Sequence, residues 1–212
     1  MKKILVIISS ILMVLSCALI SVSAHNEKIV VIDAGHGGED GGASYLNCVE
    51  SEINLEIAYE LKKVYEENGY KVIMTRKDNS SLCDGSFNKR EDMNNRVNIV
   101  NSSNALYLIS IHLNTFSDPK YSGAQTFYST SNFKSILLAD LIQTSIISNL
   151  RNTSRSIVER DNIYLLNKVT IPAVIVECGF LTNDNERSKL INKEYQMMLA
   201  WAIFEGSTLF EL

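Results

Sequence analysis

Residues 29–38 read Ile29-Val30-Val31-Ile32-Asp33-Ala34-Gly35-His36-Gly37-Gly38, and this stretch decides the fold. Its first four residues are apolar and typical of a buried parallel strand, and the glycines beyond them allow a sharp turn. His36 follows that strand, at the end where open α/β sheets bind their ligands. The stretch therefore predicts an α/β fold with a functional histidine beyond the first strand.

The rest of the chain alternates apolar strands with amphipathic helices, which is the pattern of an α/β sheet. Gly69 stands where the C-cap of the first helix is expected. Strands are predicted at residues 29–33, 70–75, 106–111, 123–129 and 174–176, with the fourth at an edge of the sheet, and helices at 51–68, 89–101, 133–150, 185–192 and 194–210.

The first residues have the pattern of an export signal. Two lysines, Lys2 and Lys3, precede an uncharged run at 4–20, and Val22-Ser23-Ala24 is a small-residue cleavage pattern. We therefore expect a signal peptide at residues 1–24, export across the cytoplasmic membrane, and one domain at 25–212. An uncleaved membrane anchor is the alternative.

Charge and cysteine usage exclude several classes of function. The formal net charge of −4 makes the chain a poor candidate for binding nucleic acid or an anionic membrane surface. Removal of the predicted signal peptide, which contains Cys17, leaves Cys48, Cys83 and Cys178. This odd number argues against a disulfide framework, and the lack of a CxxC pair argues against a thiolate zinc site. Cys178 is interpreted as a small buried hydrophobe rather than a nucleophile.

Three apolar runs are each followed by a residue of a type that can bind a metal ion. His112 ends the run at 106–111 as His36 ends the first one, and the chain has only three histidines. Glu177 follows the run at 174–176. Two histidines and one carboxylate are a ligand set for catalytic Zn²⁺, which keeps one position open for water. A further carboxylate must then act as base on that water.

The sequence offers several candidates for the second acid. Glu39 and Asp40 lie in the glycine-rich loop, whereas Glu50 and Glu52 lie at the start of a predicted helix. Glu50 ranks first, because a carboxylate immediately before a helix is favoured by the helix N-terminus and held by a rigid element. The residues alone do not exclude Glu39, Asp40 or Glu52. They also do not decide whether Glu177 or the second acid binds the metal.

These motifs together resemble the zinc-dependent N-acetylmuramoyl-L-alanine amidases of the type-3 amidase family. The resemblance covers essentially the whole chain from residue 28, with the motifs in family order. They are Ile32-Asp33-Ala34-Gly35-His36-Gly37-Gly38, Gly42-Ala43, Glu50 with Asn54-Leu55, Thr75-Arg76 with Asp78, Asn95-Arg96, Ser110-Ile111-His112-Leu113-Asn114, Gly123, and residues 172–183 around Glu177.

The resemblance implies a site and a reaction. It implies zinc held by His36, Glu50 and His112, with Glu177 as the catalytic acid/base, in a twisted, mostly parallel sheet of about six strands between helices. The reaction would be hydrolysis of the amide that joins the lactyl group of N-acetylmuramic acid to L-alanine in peptidoglycan. Arg76 and Asn114 are expected to bind substrate, although the alternative for Arg76 is pairing with acids.

The resemblance also bears on the biological setting. The chain is similar to the spore-cortex subgroup, which removes stem peptides so that muramic-δ-lactam can form, and this implies the cell wall or the spore intermembrane space. It departs from the family at residues 43–49, which lack the usual glycines, and at Ser51, where Lys is frequent. An accessory protein and the oligomeric state are left open.

Two alternatives belong to other classes of function. A zinc carboxypeptidase-like enzyme, acting on cell-wall peptides, would use a Glu three residues after the first histidine, which here is Glu39. A non-catalytic peptidoglycan-binding domain would require a broken metal set, whereas all four residues are present.

Overall fold

A computed structural model describes residues 27–211, which form a six-stranded sheet with helices on both faces. The strands are β1 (Ile29–Ala34), β2 (Ser44–Tyr45), β3 (Cys48–Val49), β4 (Lys71–Met74), β5 (Leu108–Asn114), β6 (Gln125–Tyr128), β7 (Val158–Glu159) and β8 (Ala173–Phe180). The main sheet has the order β4-β1-β5-β8-β6-β7, and β2 pairs with β3 in a separate hairpin. Strands β4, β1, β5 and β8 are parallel, whereas β6 is antiparallel to β8. This mostly parallel sheet confirms the predicted α/β class.

The helices cover the two faces unequally. They are α1 (Glu50–Glu67), α2 (Lys89–Asn101), α3 (Lys134–Leu150), α4 (Tyr164–Lys168), α5 (Asp184–Leu190) and α6 (Lys193–Thr208). Helices α1, α3 and α6 bury one face in a large apolar cluster, and the smaller cluster under α2 and α4 buries the other. Side chains of β5 alternate between the clusters, with Ile109 and Ile111 on the first face and Leu108 on the second.

Helix α1 shows why the helices were predictable. Ile53, Ile57, Leu61 and Val64 recur at helical spacing, and all four are buried against the sheet. The helix stops before Gly69, which has a φ of 83° that an L side chain rarely adopts. Gly69 therefore lies just past the C-cap residue Asn68 and has the positive φ expected of a helix-ending glycine.

The ends of two strands differ from the prediction. Strand β5 runs to Asn114 and β8 runs to Phe180, so that His112 and Glu177 lie inside strands and not beyond their ends. The expectation of three strand ends is thus wrong for two of the three residues. An apolar run marks only the part of a strand that is buried on both faces, and these strands continue where one face lines a cleft.

Several short elements have no sequence signal. The hairpin β2–β3 occupies the segment that departs from the family, and its turn residues Leu46 and Asn47 have φ values of 46° and 64°. Strand β6 was expected at an edge, but β7 pairs outside it. Two-residue strands have no periodicity to detect.

Within residues 27–211 no helix combines the length and the apolar character needed to cross a bilayer. The predicted signal peptide lies outside the described residues.

Candidate active site

The turn after β1 places His36 and is held by two buried arginines. His36 has a φ of 63°, a left-handed conformation that costs a non-glycine residue about 1 kcal/mol. Arg76 donates hydrogen bonds to the carbonyl oxygens of Ala34 (2.8 Å) and Gly35 (3.0 Å). Arg96 donates to the carbonyl oxygens of Ala34 (2.9 Å) and His36 (2.7 Å). The unusual backbone is therefore fixed by guanidinium groups that are each only 2% exposed.

The charge of Arg96 is balanced inside the protein. Its guanidinium contacts Asp33 (2.6 Å) and Asp92 (2.7 Å). Burial alone would raise the pKa of Asp33, but Arg96 and the hydroxyl groups of Ser110 and Thr75 lower it to about 2. Asp33 thus stays ionised, and β1 is tied to α2, β5 and the segment after β4.

Glu50 opens α1 and bridges the two histidines. Its Oε1 atom lies 3.3 Å from His36 Nε2 and 3.0 Å from His112 Nδ1. The backbone N–H of Ala43 donates to Oε2 (2.8 Å), and that of Leu113 donates to Oε1 (3.1 Å). Burial raises the pKa of Glu50, but the hydrogen bonds to His112 and His36 outweigh it and lower that pKa below its usual range. The ionised carboxylate is rigidly held between the imidazoles.

Two glycines leave the space in which these side chains meet. A Cβ atom at Gly35 would lie 2.2 Å from His112 Nε2, which is far inside contact distance. A Cβ atom at Gly42 would lie 2.6 Å from Glu50 Oε2 and 2.7 Å from His36 Cδ2. The site therefore requires glycine at both positions for steric reasons.

Glu177 faces this group from the neighbouring strand. It pairs in register with His112 across β5 and β8. Its Oε2 atom is buried and has no hydrogen-bond partner among the described residues. Burial, helped by the charge of Glu50 and opposed by the imidazoles of His112 and His36, raises the pKa of Glu177 to about 7. A carboxyl group with such a pKa can take up and release a proton near neutrality.

The donor set fits a divalent metal ion. One ligand atom from each of His36, Glu50 and His112 lies within 4.8 Å of the others, and the two imidazole centroids are 4.9 Å apart. Neutral imidazole and carboxylate oxygen are ligands that Zn²⁺ accepts. The partnerless carboxylate oxygen of Glu177 beside this set is an orphaned buried polar atom of the kind that a metal site leaves for water. Three protein ligands and a nearby free acid fit a catalytic centre.

The other candidate acids are not part of the group that could hold a metal. Glu39 and Glu52 are exposed, whereas Asp40 Oδ2 is 3.0 Å from His36 Nδ1 and also contacts Lys89 Nζ. Among the described residues the group that could hold a metal contains Glu50 and none of these three.

The other residues singled out in the sequence are Arg76, Asn114 and Cys178. The Arg76 guanidinium donates hydrogen bonds to backbone carbonyl oxygens, including those of Ser51 (2.7 Å) and Asp78 (2.7 Å). Asn114 ends β5 two residues beyond His112, half-buried. Cys178 is fully buried in the core, which confirms its interpretation as a small hydrophobe.

The sequence did not predict which residues from other segments would surround the site. A cavity of about 250 Å³ is lined by His36, His112 and Glu177. Met93 and Lys89 from α2 line one side of it, and Ile163 and Leu165 line the other. Only the fold brings these segments together, because no motif links them along the chain.

Fold and site together define an α/β protein with a candidate metal centre and a free acid beside it. Residues 30–208 match the family model described as N-acetylmuramoyl-L-alanine amidase, and the chain belongs to this family. It is therefore a peptidoglycan amidase, as the motifs indicated. The family match disfavours the peptidase and the non-catalytic alternatives.

The chain is also similar to individual amidases, both in sequence and in structure. The germination-specific N-acetylmuramoyl-L-alanine amidase of Bacillus subtilis (strain 168) is 39% identical over 184 residues, which are 84% of this chain and 78% of the relative. The structure of the CwlD amidase from Clostridioides difficile, in complex with the GerS lipoprotein, has a TM-score of 0.83 at 40% identity and covers 87% of this chain and 98% of that one. The N-acetylmuramoyl-L-alanine amidase from Clostridium difficile 630 has a TM-score of 0.79 at 32% identity, covering 88% and 97%.

Proposed function

We propose that this chain is a zinc-dependent N-acetylmuramoyl-L-alanine amidase in which His36, Glu50 and His112 hold the ion. The observation that carries the proposal is the convergence of these three ligand atoms within 4.8 Å of one another. When bound, zinc supplies a Lewis acid that polarises oxygen ligands and lowers the pKa of water. The scissile bond is the amide between the lactyl group of N-acetylmuramic acid and L-alanine.

Glu177 is the acid/base in this proposal. Its raised pKa and its partnerless oxygen suit a group that takes a proton from the attacking water. The same carboxyl group then gives that proton to the leaving alanine nitrogen as the C–N bond breaks. The products are a free lactyl carboxyl group on the sugar and a stem peptide with a free amino group.

Different roles are assigned to the two proposed substrate residues. Asn114 remains a substrate-binding residue, supported by its position two residues beyond His112 on β5. Arg76 acts through the backbone, since its guanidinium donates to the carbonyl oxygens of Ala34 and Gly35 beneath His36. We therefore assign Arg76 the positioning of the His36 turn in place of substrate contact.

The relatives support a role in spores. The germination-specific name of the Bacillus subtilis relative supports stem-peptide removal for muramic-δ-lactam formation in the cortex. A signal peptide at residues 1–24 would deliver the catalytic domain, residues 25–212, to the cell wall or the spore intermembrane space. The complex of the CwlD amidase with the GerS lipoprotein supports an accessory protein for this chain as well.

Substitution of Glu177 tests the assignment. Glu177→Gln keeps the size of the side chain and removes the base, so cleavage should fall by about 10³-fold while zinc content stays at the wild-type level. His112→Ala is the contrasting variant, which should lose zinc and activity together. Purified peptidoglycan is digested, and free lactyl groups are detected by mass spectrometry beside metal analysis of each protein. Normal turnover by Glu177→Gln would refute its role.

A further inference from the structure

The catalytic cavity continues into a second, larger one along α2. The second cavity has a volume of about 570 Å³ and is lined by Lys89, Arg90, Met93 and Tyr164. Lys89 and Met93 line both cavities. The two cavities therefore form one groove that leads away from His36 and Glu177 between α2 and α4, which we call the α2–α4 groove.

The chemistry of the groove changes along its length. Near the catalytic group its walls carry four apolar side chains beside charged groups that include the Asp33–Arg96–Asp92 network. The apolar ones are Met93, Ile163, Leu165 and Ile175. At the outer end the lining contains the cationic Lys89 and Arg90 and the ring of Tyr164, which is 40% exposed. Tyr164 is anchored because its hydroxyl donates to Asn94 Oδ1 (2.7 Å). Lys89 lines both cavities, whereas Arg90 lines only the outer one, so Arg90 is the positive charge that an extended ligand would meet only farther out.

The positive charge of Arg90 is not neutralised locally. Within residues 27–211 its exposed side chain forms no ion pair, and only its backbone N–H is engaged, donating to Asn88 Oδ1 (3.0 Å). The acidic side chains next to it on α2 have other partners. Glu91 accepts a hydrogen bond from the backbone N–H of Asp84 (3.1 Å), and Asp92 forms an ion pair with Arg96 (2.7 Å). In a chain with a net charge of −4, this leaves a free cation at the groove mouth.

We propose that the α2–α4 groove binds the stem peptide of the substrate, and that Arg90 recognises a carboxylate on that peptide. This inference rests on the amidase function proposed above. The alanine methyl group next to the scissile amide suits the apolar part, and the acidic residue that follows it reaches the cationic end. Before cleavage, the lactyl group is held in the amide, so the substituted sugar offers hydroxyl and acetamido groups but no carboxylate for Arg90 to bind.

A pair of substrates isolates this contact. Two soluble N-acetylmuramoyl peptides are compared that differ only in whether the stem glutamate carries an α-carboxylate or a carboxamide. With the zinc-loaded full chain, Arg90→Gln should raise KM for the carboxylate substrate about fivefold, the size of one solvent-exposed charge contact. KM for the carboxamide substrate and kcat for both should stay at wild-type values, because Arg90 does not touch the reacting atoms.

The control is another exposed arginine. Arg151 lies at the end of α3, and Arg151→Gln removes the same charge without touching the groove. It should leave both KM values unchanged. Lys89 is unsuitable as the test position because its Nζ contacts Asp40, which lies beside His36. An equal effect of Arg90→Gln on both substrates, or the same effect from Arg151→Gln, would overturn the inference.

Binding without turnover separates this inference from the proposed function. If wild-type protein cleaves neither substrate, the amidase mechanism fails. Equilibrium binding of the free stem peptide then tests whether the α2–α4 groove binds that peptide. Weaker binding of the acidic peptide to Arg90→Gln than to wild-type protein would still support the groove. Equal binding to both proteins would end the proposal.

Discussion

At the scale of single residues, the site depends on close packing of its side chains against glycine backbone. His112 packs against the backbone of Gly35, and His36 against Gly42. Glu50 Oε1 lies within 3.3 Å of a nitrogen of each histidine. Such contacts leave the ligands few alternative rotamers, so the site is pre-organised before any ion binds.

Gly35→Ala tests this close packing. The new methyl group would lie 2.2 Å from His112 Nε2, so the imidazole must turn away from Glu50. Zinc affinity and cleavage should fall together by about 10- to 100-fold, the range found when ligand orientation is lost. Equilibrium zinc titration and digestion of peptidoglycan measure the two effects.

Gly69→Ala is the matched control for Gly35→Ala. Gly69 has a φ of 83°, and a Cβ atom there would meet nothing within 4 Å. Its substitution should lower the free energy of unfolding by about 1 kcal/mol through backbone strain alone, without changing zinc affinity. If Gly35→Ala bound zinc as tightly as Gly69→Ala, the packing explanation would be wrong.

At the scale of elements, prediction from the sequence worked where periodicity was long. Helix α2 is observed at Lys89–Asn101 as predicted, and α1 is displaced by one residue. The predictions at 106–111 and 174–176 overlap β5 and β8 but end too early, because His112 and Glu177 interrupt the apolar pattern, and the prediction for β5 also begins two residues before the strand. The polar residues proposed to carry the chemistry are therefore the ones that made the strand ends hard to predict.

The ion pair between β1 and α2 should make stability depend on pH. The pKa of Asp33 is lowered in the folded protein from 3.8 to about 2, so its stabilising contribution is present above 3.8 and lost as the pH falls through about 2. This loss amounts to about 1 kcal/mol by pH 3. The Asp33→Asn variant lacks this titrating group and should be less stable at neutral pH.

Urea unfolding of both proteins at about pH 6 and about pH 3 measures the effect. The stability gap between wild type and Asp33→Asn should narrow at the lower pH, because only the wild type loses the contribution of Asp33. Other carboxylates titrate in both proteins and cancel in the comparison. A gap of the same size at both pH values would contradict a lowered pKa for Asp33.

At the scale of the whole molecule, the candidate metal centre joins three elements that are distant along the chain. His36 follows β1, Glu50 opens α1 and His112 lies in β5. An ion bound by all three exists only in the folded protein, so binding must stabilise the fold. Zinc at about 100 times its dissociation constant should raise the melting temperature by about 5–10 °C.

Scanning calorimetry with zinc and with a chelator tests this coupling. His112→Ala should lose the zinc-dependent rise in melting temperature, because one ligand is missing. Glu177→Gln should keep it, since that carboxylate is assigned to chemistry and not to the ion. Equal zinc shifts in wild type and His112→Ala would show that the ion binds elsewhere.

The sequence by itself predicted the class of fold, most helices and strands, and His36, His112 and Glu177 as candidate site residues, because apolar periodicity and short motifs are local properties of the chain. It ranked Glu50 first among four acids, and the resemblance to the amidase family added the choice of Glu50 as a metal ligand. Only the tertiary structure showed that Glu50 contacts both histidines while Glu39 and Glu52 face solvent. It also decided that Arg76 serves the backbone and that α2 and α4 enclose a groove. Those facts depend on how distant segments pack, and packing between elements that share no motif leaves no periodic trace in the sequence.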